Sequence, residues 1–269
     1  MNKHESIIAA LVLTVWMTFA APTASAQGDD YDTFGFSVGL FVTALDTKTR
    51  LDSSSGDSGT EFDFEDDLGL ESADAIFRLD GYYRFAEKHQ LNFSWFDLSR
   101  SGTAQLQGEI DYGDSTFPID TVVDSDNELQ IYRIAYTWRF VQRDNGFLGA
   151  TVGLYVADFD ASMRAETIDA VESDGTTAPL PVIGLRGEYS FSEKWSFHAD
   201  AEFFSLNFDD FDGSLYDVYA GIDYGISDRT SIGIGINSVG ADIDATGSDY
   251  AGKLVWKYTG ALVFLKFDF

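Results

Sequence analysis

Gly260-Ala261-Leu262-Val263-Phe264-Leu265-Lys266-Phe267-Asp268-Phe269 ends the 269-residue chain, with Ala261, Val263, Leu265, Phe267 and Phe269 at every second position. A period of two places such a set on one face of a β-strand. The same period recurs upstream. Phe34, Phe36, Val38, Leu40 and Val42 alternate with Gly35, Ser37, Gly39 and Thr43. Tyr132, Ile134, Tyr136, Trp138 and Phe140 alternate with Arg133, Thr137 and Arg139. Trp195, Phe197, Ala199, Ala201 and Phe203 alternate with Ser196, His198, Asp200 and Glu202. Equivalent patterns near residues 77–85, 91–95, 148–156, 183–191, 216–224 and 232–236 bring the strand candidates to ten.

Alternation alone fits two architectures. A soluble sandwich buries the apolar set, whereas a membrane barrel turns it to lipid and points the polar set inward. The connections separate the two. Residues 86–89, 142–145, 192–194 and 227–230 read as tight turns, and 51–74, 101–128, 161–180, 207–214 and 244–252 as longer loops. Strict short–long alternation is the mark of a transmembrane barrel, with roughly 9–11 residues needed per crossing. The expected fold is therefore all-β, an antiparallel up-and-down transmembrane barrel of ten strands. Eight or twelve stay open, because residues 103–127 could lengthen two strands or add a hairpin.

The terminal aromatic Phe269, preceded by Phe267, Leu265 and Val263, resembles the C-terminal signal of Gram-negative outer-membrane barrel proteins. The segments Gly59-Thr60-Glu61-Phe62-Asp63-Phe64-Glu65-Asp66-Asp67-Leu68-Gly69-Leu70 and Arg78-Leu79-Asp80-Gly81-Tyr82-Tyr83-Arg84-Phe85 are similar to stretches of barrels in that class. The resemblance implies an outer-membrane location with both termini periplasmic. It also implies recognition of Phe269 by the barrel assembly machinery, and contact with outer-membrane lipid and lipopolysaccharide. It brings no established activity.

The N-terminus fits export. Lys3 and His4 precede an uncharged, mostly apolar run from Ile7 to Ala21, and Ala24-Ser25-Ala26 offers a small-x-small cleavage site. The run is shorter than the roughly 20 residues of a spanning helix, so residues 1–26 read as a cleaved signal peptide and 27–269 as the barrel domain. The chain has no Cys, which excludes disulfides, thiolate metal sites and Cys nucleophiles. Its net charge of −28 argues against nucleic acid as a partner.

Charge is distributed in two ways. The loops at 51–74 and 101–128 carry carboxylates and no Lys or Arg, and Asp63, Glu65, Asp66, Asp67, Asp124 and Asp126 stand out as an acidic rim. Such a rim attracts cations, divalent ions among them, or simply keeps the surface solvated. Asp209-Asp210-Phe211-Asp212-Gly213 and Asp124-Ser125-Asp126-Asn127-Glu128 approach a calcium loop but lack its full length and closing Glu, so no metal site is assigned. The strand positions facing the interior mix signs: Arg78, Asp80, Arg84, Arg133, Arg139, Arg186, Glu188, His198, Asp200, Glu202, Asp217 and Asp223. Buried charges must pair or meet water, so this set reads as an internal ion-pair network or a polar pathway. Inward glycines such as Gly35, Gly221, Gly233 and Gly235 would leave room for water.

Three functions remain open at this level. One is a small passive channel with cation preference. Another is a closed structural or adhesive barrel whose acidic loops bind ions or lipopolysaccharide. The third is a barrel hydrolase built on Ser196, His198 and Asp200, which share a strand face. No catalytic residue and no cofactor are assigned, because a base so near a turn is poorly placed for an acyl-transfer nucleophile.

Overall fold

A computed structural model describes residues 32–53, 58–208, 211–246 and 251–269. The expected signal peptide and Asp209-Asp210 lie outside the described residues. The elements are β1 (Phe34–Leu51), β2 (Phe62–Asp63), β3 (Ala73–Ala86), β4 (His89–Gln105), β5 (Ile110–Tyr112), β6 (Ser115–Phe117), β7 (Val122–Arg143), β8 (Gly146–Ala165), β9 (Ala170–Ser190), β10 (Trp195–Phe208), β11 (Phe211–Ser227), β12 (Thr230–Thr246) and β13 (Ala251–Asp268). Ten of these close a barrel in the order β1-β3-β4-β7-β8-β9-β10-β11-β12-β13, and β13 returns to pair antiparallel with β1. β2 adds an extra strand beside β1, and β5–β6 form a separate hairpin.

Closure is made by the stretch that decided the reading of the sequence. Val263 pairs with Leu40, Leu265 with Val38 and Phe267 with Phe36. Phe36 and Phe267 stack at 5.1 Å, and backbone bonds from Thr33 (2.7 Å) and Phe34 (3.0 Å) to the Phe269 carbonyl finish the seam. With no edge strand left, every wall strand within the apolar band has a partner on both sides.

The apolar set faces outward. Ile134 is 57% exposed, Ile183 70% and Ile236 63%, while Thr137, Asn92 and Asn237 on the inner face are buried. On β8 the outward apolar run extends from Leu148 to Val156. At roughly 3.3 Å per residue and a tilt near 40°, that stretch rises about 20 Å, close to the height of an outer-membrane apolar band. Aromatic residues mark both limits. Trp95, Tyr132, Phe203 and Tyr216 lie at the loop end of the band; Phe85, Tyr136, Trp138, Tyr189, Phe191 and Trp195 lie at the turn end.

Beyond the band the two faces exchange character. Asp124, Asp126 and Glu128 of β7 point outward while Val123, Leu129 and Ile131 are buried inside. On β8, Asp158, Asp160 and Arg164 are outward and Phe159, Ala161, Met163 and Ala165 inward. Above the lipid the wall is an ordinary soluble sheet around an apolar core. Below that level its faces are inverted.

This inversion corrects the loop boundaries. Residues 161–180 are not a loop: β8 and β9 run on to a one-turn 3-10 helix at Glu166–Ile168. Both alternatives for 103–127 occur, since β4 and β7 are long and the β5–β6 hairpin lies between them.

The β9–β10 ladder stops at Ile183–Phe203, although β9 continues alongside β8. The reason is local. Ser190 donates toward the β8 side and Phe191 toward Trp195, so alternate residues back along β9 place Pro179 and Pro181 on the β10 side. Neither has an N–H to donate, and the ladder cannot extend past them.

Ile134→Lys, on the lipid face of β7, should lower the stability of the barrel folded in vesicles by about 2–4 kcal/mol, whereas Glu128→Lys above the band should change it by less than about 1 kcal/mol. Urea titration of the two refolded variants measures the difference.

Candidate functional site

The interior has two compartments. In the outer one, Phe41, Phe96 and Tyr258 meet across the lumen, with Tyr258 edge-on to both rings at 5.5 and 5.4 Å. Above them β2 and the segment after it fold into the barrel mouth and bury Phe62, Phe64, Leu68 and Leu70. Phe64 N–H donates to the Thr47 carbonyl (2.9 Å), and Leu70 N–H to the Phe64 carbonyl (3.0 Å). The β5–β6 hairpin joins this cap: Tyr112 packs edge-on to Phe62 at 5.5 Å, and Ser115 donates to Glu172 at 2.8 Å.

One buried ion pair fastens the cap. Arg100 binds Glu65 and also donates to the Glu71 carbonyl (3.2 Å), Thr47 Oγ1 (2.8 Å) and Asn127 Oδ1 (3.3 Å). Glu65 in turn accepts from Thr47 N–H at 2.9 Å. Breaking such a pair from one side strands a charge off water and typically costs ~3–5 kcal/mol. Sequence reasoning missed Arg100 and put Glu65 on the rim. The available signal was an Arg at an otherwise apolar inward register of β4, after Phe96 and Leu98. Of the other residues read as rim, Asp66, Asp67, Asp124 and Asp126 are exposed, and Asp63 is half-buried and pairs with Lys48 at 3.6 Å.

The inner compartment is polar, and the structure brings most of the expected lumen residues together there. Its floor is a continuous network. Arg78 holds Asp80 (3.0 Å) and donates to Asn237 (2.6 Å), and Asn237 donates to Asp217 (2.6 Å). Tyr155 bonds Asp217 and reaches Glu202 at 3.2 Å. Arg133 grips Glu202 through two nitrogens, one at 2.7 Å. Arg186 binds Asp200 (2.6 Å) and Asn92. Between this floor and the turns lies a cavity of about 740 Å³, open at the turn end.

One expected member differs. Arg139 is buried but makes no ion pair among the described residues; its guanidinium lies 3.7 Å from the Phe147 ring centroid. Arg84 faces the Tyr82 ring at 6.0 Å. The glycines are not voids. Phe264 lies over Gly233 and Tyr219 over Gly221 and Gly235, so aromatic rings occupy the space that side chains there would need.

The Ser196–His198–Asp200 grouping does not assemble. The ring nitrogens of His198 face Glu188 (3.4 Å) and Asp223, Ser196 bonds Ser190 (2.8 Å), and Asp200 is held by Arg186. The other histidine among the described residues, His89, lies on the outer wall, 2.6 Å from the Tyr136 hydroxyl.

Outside the barrel, above the lipid, Glu128 is directly opposite Asp160 in the β7–β8 ladder. Like charges so placed repel. Desolvation, then Asp158 and Glu128, raises the Asp160 pKa above the ordinary carboxylate value.

No family model matches the chain, and no curated protein matches it. Solved structures do. The outer membrane protease OmpT from Escherichia coli aligns over 91% of this chain and 99% of its own, with a TM-score of 0.61 at 11% identity. The attachment invasion locus protein Ail of Yersinia pestis aligns over 86% and 99%, at TM-score 0.36 and 10% identity. The Pseudomonas putida toluene transporter TodX aligns over 90% of both chains, at TM-score 0.31 and 10% identity. At such identities the likeness is one of fold. The fold is that of the Gram-negative outer-membrane β-barrels, in a ten-stranded form.

A carboxylate whose pKa is raised by folding weakens the fold above that pKa and does not do so below its unfolded value. Asp160→Asn should therefore stabilise the barrel at pH 7 and have no such effect near pH 3, as read by paired urea titrations.

Proposed function

We propose that this chain is a closed outer-membrane barrel, sealed to passive flow, whose long-loop end faces outward as a contact surface and which carries out no catalysis. One observation carries the reading: the outer half of the lumen is packed by wall residues and the inserted cap into a single apolar cluster. A polar solute crossing that layer would shed its water without replacement hydrogen bonds. The capped loop end, with its exposed acidic residues, supports contact with divalent ions, lipopolysaccharide or other surfaces. The outward residues Val263, Leu265, Phe267 and Phe269 are the surface we assign to the barrel assembly machinery.

The second reading, a small cation-preferring channel, draws on the inner cavity and its charged lining. A hydrolase draws less support, since His198 is held between two carboxylates and away from Ser196.

In planar bilayers the purified barrel should insert without conductance steps; discrete cation-selective steps would instead establish the channel. Orientation is tested separately, because the chain has no native Cys. Asp67→Cys in intact cells should react with an impermeant maleimide, and Glu193→Cys should not. The reverse pattern would place the cap in the periplasm.

A further inference from the structure

Above Ile183, β9 has a free edge. The alternation that points Pro179 and Pro181 to the β10 side also points the N–H and C=O groups of Val171, Ser173, Gly175 and Thr177 there. β10 does not follow: the ladder ends at Phe203, and the next residues that would face β9, Ser205 and Asn207, are exposed. The four β9 residues are exposed as well, and no backbone group pairs with them on that side among the described residues. The Gly175 N–H turns locally to the Asp174 carboxylate, which leaves free donors at Val171, Ser173 and Thr177. Sheet edges are commonly blunted by Lys, Pro or a bulge. From Ala170 to Ala178 this one has none of them. At roughly 3.3 Å per residue, Val171 to Thr177 offers about 20 Å, the length of an ordinary partner strand.

The flanks of this edge are acidic. On the outward face Asp160 lies over Gly175, whose missing side chain leaves the room, and Thr177 donates to Asp158 at 2.7 Å. A groove of about 500 Å³ continues from Ser173 and Gly175 past Asp160 to Glu128 and Asp126. Glu128 and Asp160, opposed in the β7–β8 ladder, repel each other, and a cation laid along the groove relieves that repulsion. On the inward face Glu172 is held by Ser115 of the cap hairpin at 2.8 Å, and Asp174 is half-buried on the same side of β9. Arg164, opposite Val171, ends the acidic stretch toward the tip. A second copy of the chain fits this edge poorly. It would set the same carboxylates against one another. Two barrels inserted in the same sense also carry β9 in the same direction, so the edge cannot meet its equivalent antiparallel.

We propose that the β9 edge takes up an extended cationic peptide segment of another protein as an added antiparallel strand, with Lys or Arg at alternate positions over Asp158, Asp160 and Glu128. Main-chain bonds give this mode of recognition its affinity, and the alternate side chains give it selectivity. Antiparallel addition continues the pairing that β9 already makes with β8 and β10. The inference rests on reading the long-loop end as a contact surface and names what it contacts.

The probe is a short, end-capped, fluorescent peptide that alternates Lys with Thr, added to the folded barrel in a non-ionic detergent. Anisotropy should show saturable one-to-one binding that weakens as salt rises. In an antiparallel ladder the residues that share the outward face of Ser173 and Thr177 also turn their N–H groups toward β9. N-methylation of the Lys amides should therefore abolish binding, and N-methylation of the Thr amides should leave it near that of the parent peptide, at the same charge. These two peptides require no variant to fold. Ser173→Pro with Thr177→Pro removes two edge donors and none that bonds β8, and affinity should fall by about tenfold or more. Asp160→Asn should weaken binding by about threefold. Equal binding of the two methylated peptides, or binding unchanged in the proline variant, would overturn the proposal and leave only diffuse charge attraction. So would a dimer in detergent that the proline pair dissolves, which would give the edge to a second copy. Conductance steps or reversed maleimide labelling would overturn the sealed and outward-facing readings without altering this measurement, and loss of peptide binding would leave those readings standing.

Discussion

A peptide group in lipid has no water to bond, and this single constraint shapes the wall. Each N–H and C=O within the apolar band must find a partner in a neighbouring strand, and the last strand must return to the first. The β1–β13 ladder meets that requirement from Gly35–Asp268 to Leu51–Gly252 without a register break. Among the described residues, bulges occur at the turn end, at Arg84–Ala86, Trp138–Val141 and Gly225–Ser227, where water can satisfy a displaced group.

Given the closed wall, solvent on each side dictates the rest. Lipid selects Ile134, Ile183 and Ile236 on the outside of the band, and the enclosed inside can then hold arginines and carboxylates provided they pair. Above the band water replaces lipid, and the same strands reverse their polarity with no change in backbone conformation. The apolar cap is a consequence of that reversal. Inward residues such as Phe41, Phe96 and Leu98 need apolar partners, and the β1–β3 connection provides Phe62, Phe64, Leu68 and Leu70. Arg100 and Glu65 fix its register.

The band was legible in the sequence because its alternation has high contrast. Arg133 beside Ile134, or Glu202 beside Phe203, assigns faces without ambiguity. Ten strands and the tight turns followed from that contrast, while which lumen charges pair with which did not. The reading failed where contrast reversed. Residues 158–165 alternate as faithfully as 148–156, but with polar residues outside and small or apolar residues inside, and 161–165 read as loop. Glu65 was misplaced for a related reason. A carboxylate in an acidic run carries no local sign that one member turns inward, because its partner Arg100 is distant in sequence. The polar floor around Asp217 likewise emerges only once strands β3, β7, β8, β10, β11 and β12 are brought together.

Pro179 and Pro181 divide the wall into two regimes. Below them, a strand that gained or lost one residue would turn a whole face from lipid to lumen. Above them, β9 keeps a strand ladder with β8 alone, and although Ser115 still bonds Glu172 there, the ladder of the paired tip can lengthen or shorten without disturbing ring closure. The two imino acids thus mark where a cylinder of fixed register gives way to a two-stranded arm whose length the ring does not dictate.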